Sequence, residues 1–410
     1  MALPSWKLSS QTLKDAGFES FKTDPDVWMR PGVKPNGDLY WEYVLKYVDD
    51  ILVVSHDPKP IIAVFAAQYT LKKGSVGPPK EYLGAEVRQW TIEDAAQPEK
   101  VRWAKSSDRY VKRAIADVEL ELAKCGQQLR DKVTVPVSPD YAPEMDLTPE
   151  LDPRRASYYM SLIGILRWAC ELGRLDILMP VALMSGYMAN PREGHLEQLL
   201  HMFAYLKSHP RSTMVFDDTE PEIDSSRFND EADWTDYYGD VKEAIPSNAP
   251  EARGKSVTTS CFCDASHASD QMTRRSWTGI LIFVNRAPIL WISKAQARVE
   301  SSTYSSEIVA ARIAVETVEG LRYKLRMMGI PIDGPTNMFC DNQGVVKNVT
   351  CPESVLKKKH ASISWHRLRE AQASMTVRVC WESTDSNLSD LFTKLLNGPR
   401  LKELVSRVLW

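Results

Sequence analysis

Four acidic side chains in the C-terminal part of the chain occupy positions where an unpaired carboxylate is costly. Asp264 and Asp341 each end a predicted strand, and Glu307 lies one turn into a predicted helix, on the face whose apolar residues must meet a sheet. Asp390 lies in a predicted final helix among apolar neighbours. Carboxylates in such surroundings need cationic partners. Together they predict a site for two Mg²⁺ ions, with Mn²⁺ able to substitute: one ion activates a water, and the other stabilises the leaving 3′-oxygen of a phosphodiester.

A second pair of carboxylates stands between two apolar runs in the stretch YVLKYVDDILVV, residues 43–54. Aspartate is depleted in strands, so Asp49 and Asp50 predict the tip of a hairpin that joins residues 43–48 to residues 51–54. Their mutual repulsion is roughly 3 kcal/mol at a separation of about 5 Å and an effective dielectric constant of about 20. A divalent metal ion would turn that repulsion into attraction. The pair therefore predicts a second metal site.

The elements that must position these side chains follow from hydrophobic periodicity. From residue 257 onward the pattern predicts three strands, then helix, strand, helix, strand and helix, which is the order of a mixed α/β domain. Apolar residues at three- and four-residue steps predict helices within residues 105–130 and 155–210. The predicted segments are mixed α/β over 1–104, helical over 105–215, an acidic linker over 216–254 and α/β over 255–410.

Composition excludes several classes of protein. With 410 residues, of which 43% are hydrophobic and 26% charged, the chain has the make-up of a soluble globular protein with room for two or three domains. The longest apolar run, residues 177–184, is too short to span a bilayer, and no secretory signal is visible. Seven cysteines without a regular spacing suit a reducing, intracellular compartment. Basic residues outnumber acidic ones after residue 255, which is compatible with nucleic-acid binding.

The C-terminal segment carries a series of blocks that resemble a known family. In chain order they are CDASH, RRSWTGILIF, ILWISKAQ, SSTYSSEIVAA, FCDNQGVV, KKKHASISWHRLRE and SDLFTK. These blocks closely resemble the RNase H domain in the Pol polyproteins of copia-type (Pseudoviridae-like) LTR retrotransposons. The resemblance implies that Asp264, Glu307, Asp341 and Asp390 bind the metal ions during hydrolysis of RNA in RNA–DNA hybrids. It also implies that His360 acts in product release; the alternative is a solvated loop histidine.

The N-terminal part resembles the reverse transcriptase of the same polyproteins. The palm signature is matched by YVDD, and the segment that joins palm to RNase H is matched by SLIGILRWACELGRLDI. The resemblance implies that Asp49 and Asp50 face the primer 3′-end and the metal ions of the incoming nucleotide, with Tyr47 and Val48 in the floor of the nucleotide site. The fold class it implies is α/β: a partial palm, a helical thumb or connection, and an RNase H-like mixed five-stranded sheet with flanking helices.

Polymerase activity needs more than this aspartate pair. A palm of that family has a further aspartate on an earlier strand, upstream of the segment that SWKLSSQTLKDAGF resembles, and the sequence begins at that segment. We therefore expect an incomplete RNA-directed DNA polymerase, unable to extend a primer by itself, beside a complete RNase H. The expected partners are RNA–DNA hybrid, primer–template nucleic acid and the remaining polyprotein parts, with no membrane. The expected location is intracellular, in the cytoplasm, in virus-like particles or in the nucleus.

Contacts with a hybrid are expected through its sugar–phosphate backbone, because RNA-type duplexes hide their base edges in a narrow major groove. Asn342 and Gln343 open a short predicted helix and are suited to donate hydrogen bonds to sugar hydroxyls or phosphates. The alternative for Asn342 is that it only caps that helix. Ser301, Ser302 and Lys294 precede the long helix and are expected to meet the opposite strand.

Two other functions remain open on the sequence alone. A decayed or domesticated remnant would bind nucleic acid without cutting it. An integrase-type nuclease shares the fold but uses three acids, and the glutamate between Asp264 and Asp341 argues against it. A further acidic pair, Asp217 and Asp218, lies in the acidic segment and is expected to be solvated.

Overall fold

The chain forms two compact units in a computed structural model that describes residues 5–48, 50–91, 100–210 and 212–410. The first unit consists of Met1–Tyr82, Ala244–Thr258 and Glu319–Gly334. The second unit consists of Leu83–Glu243, Thr259–Val318 and Pro335–Trp410. Each unit is therefore assembled from segments that are distant in sequence, and the division into four consecutive segments stays a prediction.

The first unit is built on a four-stranded antiparallel sheet. Its elements are α1 (Ser5–Asp15), β1 (Glu19–Ser20), β2 (Val27–Val33), β3 (Leu39–Tyr47), β4 (Asp50–Val54), α2 (Lys59–Gln68) and β5 (Glu81–Tyr82). The sheet order is β1-β2-β3-β4, and β3 buries every second residue from Glu42 to Lys46. Leu13 and Ile61 of the helices share a core with Trp28 and Val44 of the sheet. Tyr47 pairs with Asp50 across β3 and β4, which confirms the predicted hairpin. The predicted place of Asp50 at its tip is wrong, because Asp50 is the first residue of β4.

The second unit begins with strands and helices that precede the acidic segment. They are β6 (Ala85–Thr91), β7 (Val101–Ser106), α3 (Asp108–Ala123), α4 (Pro153–Glu171), α5 (Leu178–Ser185), α6 (Glu193–Ser208) and β8 (Thr213–Phe216). The predicted helical segments are confirmed. Strand β7 pairs antiparallel with β6 and β8 but is not predicted by periodicity, because its buried residues Arg102, Ala104 and Ser106 are mostly polar.

The acidic segment is attached to the second unit by ion pairs. Asp217 is buried, and its carboxylate accepts a 2.6 Å hydrogen bond from Arg102 Nε on β7. The expectation that Asp217 is solvated is therefore wrong, because a cation from a remote strand neutralises it. Further along, Asp230 pairs with Arg378 at 2.8 Å, and the short helix α7 (Thr235–Tyr238) follows.

A mixed five-stranded sheet forms the rest of the second unit. Its elements are β9 (Thr259–Ser266), β10 (Trp277–Val284), β11 (Ala287–Ala295), α8 (Thr303–Met327), β12 (Thr336–Cys340), α9 (Gln343–Thr350), α10 (Ser362–Ala373), β13 (Val377–Trp381) and α11 (Gly398–Val405). The strand order is β11-β10-β9-β12-β13, in which β9, β10 and β11 are antiparallel and β12 runs parallel to β9 and β13. The predicted mixed five-stranded sheet is confirmed. Helix α8 contributes its last residues to the first unit.

The segment around Asp390 departs from the predicted final helix. Residues Leu388–Phe392 form a short 3₁₀ helix, and α11 begins only at Gly398. The Asn387 side chain accepts hydrogen bonds from the backbone N–H and the hydroxyl of Ser389, at 3.2 and 2.6 Å. Asn397 caps α11 in the same way through Arg400 N at 3.0 Å. The helix predicted over residues 386–396 is therefore wrong: a capped 3₁₀ turn stands in its place, and a separate capped helix follows it.

One hydrophobic core joins the helices α3–α6 to the five-stranded sheet and the chain end. Its fully buried members include Leu166 and Phe203 from the helices and Leu281, Phe392 and Leu404 from the C-terminal part. The final residue, Trp410, exchanges two 2.9 Å backbone hydrogen bonds with Thr213 of β8. Among the residues that the structure describes, we find no helix of the length and apolarity that crossing a membrane requires.

Candidate metal centre

Parallel pairing of β9 with β12 brings two of the predicted ligands to one end of the sheet. Cys263 pairs with Cys340, so the residues that follow them, Asp264 and Asp341, lie at the same level of neighbouring strands. Asp264 is 1% exposed, and Asp341 accepts a 3.1 Å hydrogen bond from Thr384 Oγ1. The expected strand end is confirmed at Asp341, which directly follows β12, but it is wrong at Asp264, because pairing with β10 extends β9 to Ser266.

Helix α8 supplies the third carboxylate. Glu307 lies one turn into α8, next to fully buried Ile308, and the backbone N–H of Ala265 donates a 3.1 Å hydrogen bond to Glu307 Oε2. One carboxylate oxygen from each of Asp264, Glu307 and Asp341 lies within 4.8 Å of the others. Within the described ranges, these three residues form the one group of acidic, histidine or cysteine side chains close enough to share a metal ion.

The fourth predicted ligand, Asp390, lies beside this group with its charge already neutralised. Lys394 Nζ is 2.5 Å from Asp390 Oδ1, and Arg400 lies 3.5 Å from Asp390 Oδ2. Lys394 Nζ is also 3.3 Å from Asp264 Oδ2, an oxygen that accepts a hydrogen bond from Thr393 Oγ1. The structure thus brings three of the four acids together as one ligand group and places Lys394 between the other carboxylate and Asp264.

Burial and repulsion by neighbouring acids raise the pKa values of three carboxyl groups at this site. Burial, reinforced by the charges of Asp264 and Asp341, lifts the pKa of Glu307 well above its usual range. Burial and the charge of Asp264 raise the pKa of Asp341 to about 6. Burial likewise raises the pKa of Asp390, although Lys394 and Arg400 oppose the shift. Three converging carboxylates without a full complement of cations are a donor set that fits a hard divalent ion such as Mg²⁺.

A glycine lets the turn that carries Asp390 approach the sheet. Gly279 of β10 pairs with Asp264 of β9, and a Cβ atom on Gly279 would lie 2.7 Å from the carbonyl oxygen of Ser389 and 2.7 Å from Thr393 Cγ2. Any larger residue would force this turn away from the strand ends. Gly279, Lys394 and Thr393 are site residues that sequence reasoning missed, although Lys394 stands four residues after Asp390 in the quoted block SDLFTK.

The predicted backbone-contact serines lie next to His360. His360 Nε2 is 3.0 Å from Ser305 Oγ and 3.5 Å from Ser301 Oγ, and Ser302 Oγ accepts a hydrogen bond from Lys358. The start of α8 and the loop before α10 therefore meet at this point. Product release by His360 stays a prediction.

The other predicted contact residues lie at separate points of the second unit. Asn342 Oδ1 accepts a 3.1 Å hydrogen bond from Val345 N and so caps α9, which leaves its side-chain NH₂ for a ligand. Gln343 is the first residue of α9, and Lys294 is exposed on β11. Their contacts with nucleic acid stay predictions.

The palm-like pair belongs to the first unit. Asp49 lies outside the described residues, and Asp50 is exposed as the first residue of β4. At the hairpin tip Tyr47 is 55% and Val48 is 82% exposed. Val48 has a φ of 50°, a left-handed conformation that is strained for a β-branched residue. The roles expected for these four residues stay predictions.

Solved structures that are similar to the chain match about a third of its length. Among solved structures, the chain is similar to the N-terminal RNase H domain of a Mycobacterium tuberculosis protein, with 10% identity and a TM-score of 0.27 over 37% of this chain and 98% of that domain. It is also similar to LC11-RNase H1 in complex with an RNA/DNA hybrid, with 12% identity and a TM-score of 0.28 over 33% of this chain and 94% of that protein. No family model matches the chain.

The sequence relatives are transposon polyproteins. The chain is 24% identical over 369 residues to the retrovirus-related Pol polyprotein from transposon RE1 of Arabidopsis thaliana, covering 89% of this chain and 21% of the relative. It is 24% identical over 401 residues to the one from transposon TNT 1-94 of Nicotiana tabacum, covering 95% of this chain and 26% of the relative. The chain thus spans about a quarter or less of these relatives. It is a homologue of copia-type retrotransposon Pol polyproteins, which confirms the resemblance carried by its motifs.

Proposed function

We propose that the second unit hydrolyses the RNA strand of RNA–DNA hybrids with the help of Mg²⁺. The observation that carries the proposal is the group formed by Asp264, Glu307 and Asp341, whose oxygens lie within 4.8 Å of one another at the end of a mixed five-stranded sheet. The RNase H-like order of the sequence blocks and the Pol relatives support the same substrate class.

The carboxylates would hold the ion, and their neighbours orient them. Asp264, Glu307 and Asp341 are the expected ligands, with Asp390 reaching a second ion beside Asp264. When bound, Mg²⁺ supplies an activated water and stabilises charge on the leaving oxygen. The hydrogen bond from Ala265 N holds the Glu307 carboxylate in place through Oε2.

Recognition of the hybrid is proposed to run through its backbone. The NH₂ group of Asn342 and the side chain of Gln343 stand directly after Asp341, where a scissile phosphate would lie. The lysines of residues 357–359 lie on the loop that meets the start of α8. Such contacts carry no base information, so binding is expected to tolerate any sequence.

DNA synthesis is the parent activity that the palm-like hairpin suggests. Nucleotide incorporation on a primed RNA template tests whether this chain carries that activity. The remaining polyprotein parts, primer–template nucleic acid and an intracellular site of action belong to the same proposal.

The test of hydrolysis uses the full chain and a hybrid with a labelled RNA strand. In Mg²⁺ the wild type should cut the RNA, whereas Asp264→Asn and Asp341→Asn should reduce cleavage by at least about 100-fold, because each removes a charged ligand. Asp140→Asn removes an exposed carboxylate of the same unit and should leave cleavage unchanged.

Two results would contradict the proposal. A folded wild type that binds the hybrid but leaves the RNA intact in Mg²⁺ or Mn²⁺ would favour the non-catalytic remnant. Cutting or joining of DNA ends in preference to hybrid cleavage would favour the integrase-type reading.

A further inference from the structure

The acids of the candidate centre are neutralised unevenly. One carboxylate oxygen from each of Asp264, Glu307 and Asp341 lies within 4.8 Å of the others, so their negative charges repel one another. Asp390, in contrast, has a cation at each oxygen: Lys394 at 2.5 Å and Arg400 at 3.5 Å. The Lys394 ammonium therefore lies inside a site whose carboxylates attract metal ions.

Lys394 bridges two carboxylates as a cation would. Its Nζ lies 2.5 Å from Asp390 Oδ1 and 3.3 Å from Asp264 Oδ2, and these two carboxylates are 5% and 1% exposed. At these distances the two carboxylates stabilise the positive charge of the ammonium.

The two cations around Asp390 differ in how firmly they are fixed. Arg400 also donates to the backbone oxygens of Asp385 and Thr384, at 2.6 and 2.7 Å, so it is anchored to the loop whatever happens at Asp390. The Lys394 side chain is 37% exposed, against 19% for Arg400. A lysine has a flexible four-carbon stem, so Lys394 can swing out to water once another cation takes its place.

We propose that the Lys394 ammonium is a built-in cation that occupies the position of the second divalent ion, between Asp264 and Asp390. The first ion then binds to Asp264, Glu307 and Asp341, and the second binds only by displacing Lys394. This inference rests on the proposed two-ion function. It makes Lys394 a positioning residue that sets the affinity for the second ion and keeps the pair of carboxylates together before that ion arrives.

Titration of the full chain with Mn²⁺, followed by calorimetry, tests the inference without any activity assay. The wild type should show one tighter and one much weaker ion. Lys394→Met keeps the stem and removes the charge, so the second ion should bind at least about tenfold tighter, since a positive charge a few ångströms away no longer opposes it. Lys394→Arg keeps the charge and should titrate like the wild type.

Thermal unfolding gives an independent readout. In EDTA, Lys394→Met should unfold at a lower temperature than the wild type, because Asp264 and Asp390 lose their shared cation, and saturating Mn²⁺ should remove most of that difference. Lys402→Met, which removes an exposed lysine of α11, should behave as the wild type under both conditions. If Lys394→Met does not fold, Lys394→Gln, which can still donate a hydrogen bond to Asp390, replaces it.

The outcomes distinguish a failure of the proposed role of Lys394 from a failure of the proposed metal-dependent hydrolysis. A wild type that binds no Mn²⁺ would refute the proposed metal-dependent hydrolysis itself. A wild type that binds Mn²⁺, together with folded Lys394→Met or Lys394→Gln proteins whose titrations match it, would overturn the role of Lys394 and leave the hydrolysis proposal standing. Two ions of equal affinity in the wild type would also overturn that role.

Discussion

Single residues of the candidate centre are held in a state that favours function over stability. Glu307 and Asp341 are buried near other acids, so a negative charge on either of them destabilises the folded protein in the absence of a metal ion. Such strained electrostatics are typical of sites that bind ions or do chemistry, although structural charge networks also produce them. The stability of the metal-free protein should report directly on this repulsion.

The first prediction concerns pH. The pKa of Asp341 is raised to about 6, so the folded protein binds this proton more tightly than the unfolded chain does. The resulting stabilisation is fully present below the ordinary pKa of about 4 and is lost as the pH rises through about 6. In EDTA, the unfolding temperature should therefore fall between pH 4 and pH 7, and it should fall less in Asp341→Asn. An identical pH profile for the variant would contradict the raised pKa.

Glu307→Gln is the second prediction. Glutamine can still accept the hydrogen bond from Ala265 N but carries no charge, so it removes repulsion without creating a cavity. We expect the metal-free variant to be more stable than the wild type at pH 8, measured by urea unfolding, because the uncharged amide is no longer repelled by Asp264 and Asp341. Hybrid cleavage should be lost. A variant that is both less stable and active would show that Glu307 is not a ligand.

At the scale of elements, the site depends on how closely a turn approaches a sheet. The 3₁₀ helix Leu388–Phe392 crosses β10 at Gly279, and Asn387 ties the start of that turn to β9 through a 3.2 Å hydrogen bond to the carbonyl oxygen of Cys263. The position of Asp390 beside Asp264 follows from these contacts. A single methyl group at Gly279 would disturb them.

The third prediction is that Gly279→Ala impairs both the fold and the site. Its Cβ would stand 2.7 Å from the Ser389 carbonyl oxygen, so the turn must move. Overpacking of this kind costs about 1–3 kcal/mol, and we expect that loss in urea unfolding together with weaker Mn²⁺ binding. Gly164→Ala on α4 adds the same methyl group where no atom lies within 4 Å, and it should be neutral or slightly stabilising. Equal behaviour of the two variants would argue against the close approach.

At the scale of the whole second unit, the helices α3–α6 and the C-terminal part share one hydrophobic core, which affects the stability of any fragment that contains only one of them. Leu281, Phe392 and Leu404 of the C-terminal part are buried in the same cluster as Phe203 of α6. The chain end is also hydrogen-bonded to β8 through Thr213. Residues 255–410 therefore lack part of their own core when they are expressed alone.

The fourth prediction follows from that core. A fragment of residues 255–410 should unfold at a lower urea concentration than the full chain and bind a dye that reports exposed apolar surface, because the covering helices α3–α6 are missing. Circular dichroism and dye fluorescence measure both effects, with the full chain as the control. A fragment as stable as the intact protein would show that the helices contribute little to this core.

Basic side chains outnumber acidic ones in residues 255–410, and this excess of positive charge supports the fifth prediction. Asp264→Asn in the full chain should bind unrelated RNA–DNA hybrids with similar affinity. Its affinity should fall steeply with salt, by roughly one unit of log–log slope per phosphate contacted, because counterions are released from the backbone. Fluorescence anisotropy between low and moderate salt measures this. A flat salt dependence or a strong preference for one hybrid sequence would contradict backbone recognition.

Local patterns in the amino-acid sequence by themselves determined many of the strands and helices of this protein and the places of several candidate ligands on them. The strand that carries Asp264, the strand end at Asp341, the helical start that carries Glu307 and the hairpin around Asp50 all follow from periodicity and residue type over a few neighbouring positions. The order of the five-stranded sheet follows from the order of these elements and their family resemblance. Such features could be predicted because they depend on short-range backbone preferences.

Only the tertiary structure decided which charges meet. Arg102 neutralises Asp217 from 115 residues away, Gly279 makes room for the turn that carries Asp390, and Lys394 reaches Asp264 across 130 positions of sequence. The predicted solvated Asp217 failed for this reason, whereas the predicted helix at Asp390 failed because of the local caps at Asn387 and Asn397. Contacts between remote segments depend on how the elements pack, and since the energy of a buried charge depends on every neighbour within a few ångströms, no local period encodes it.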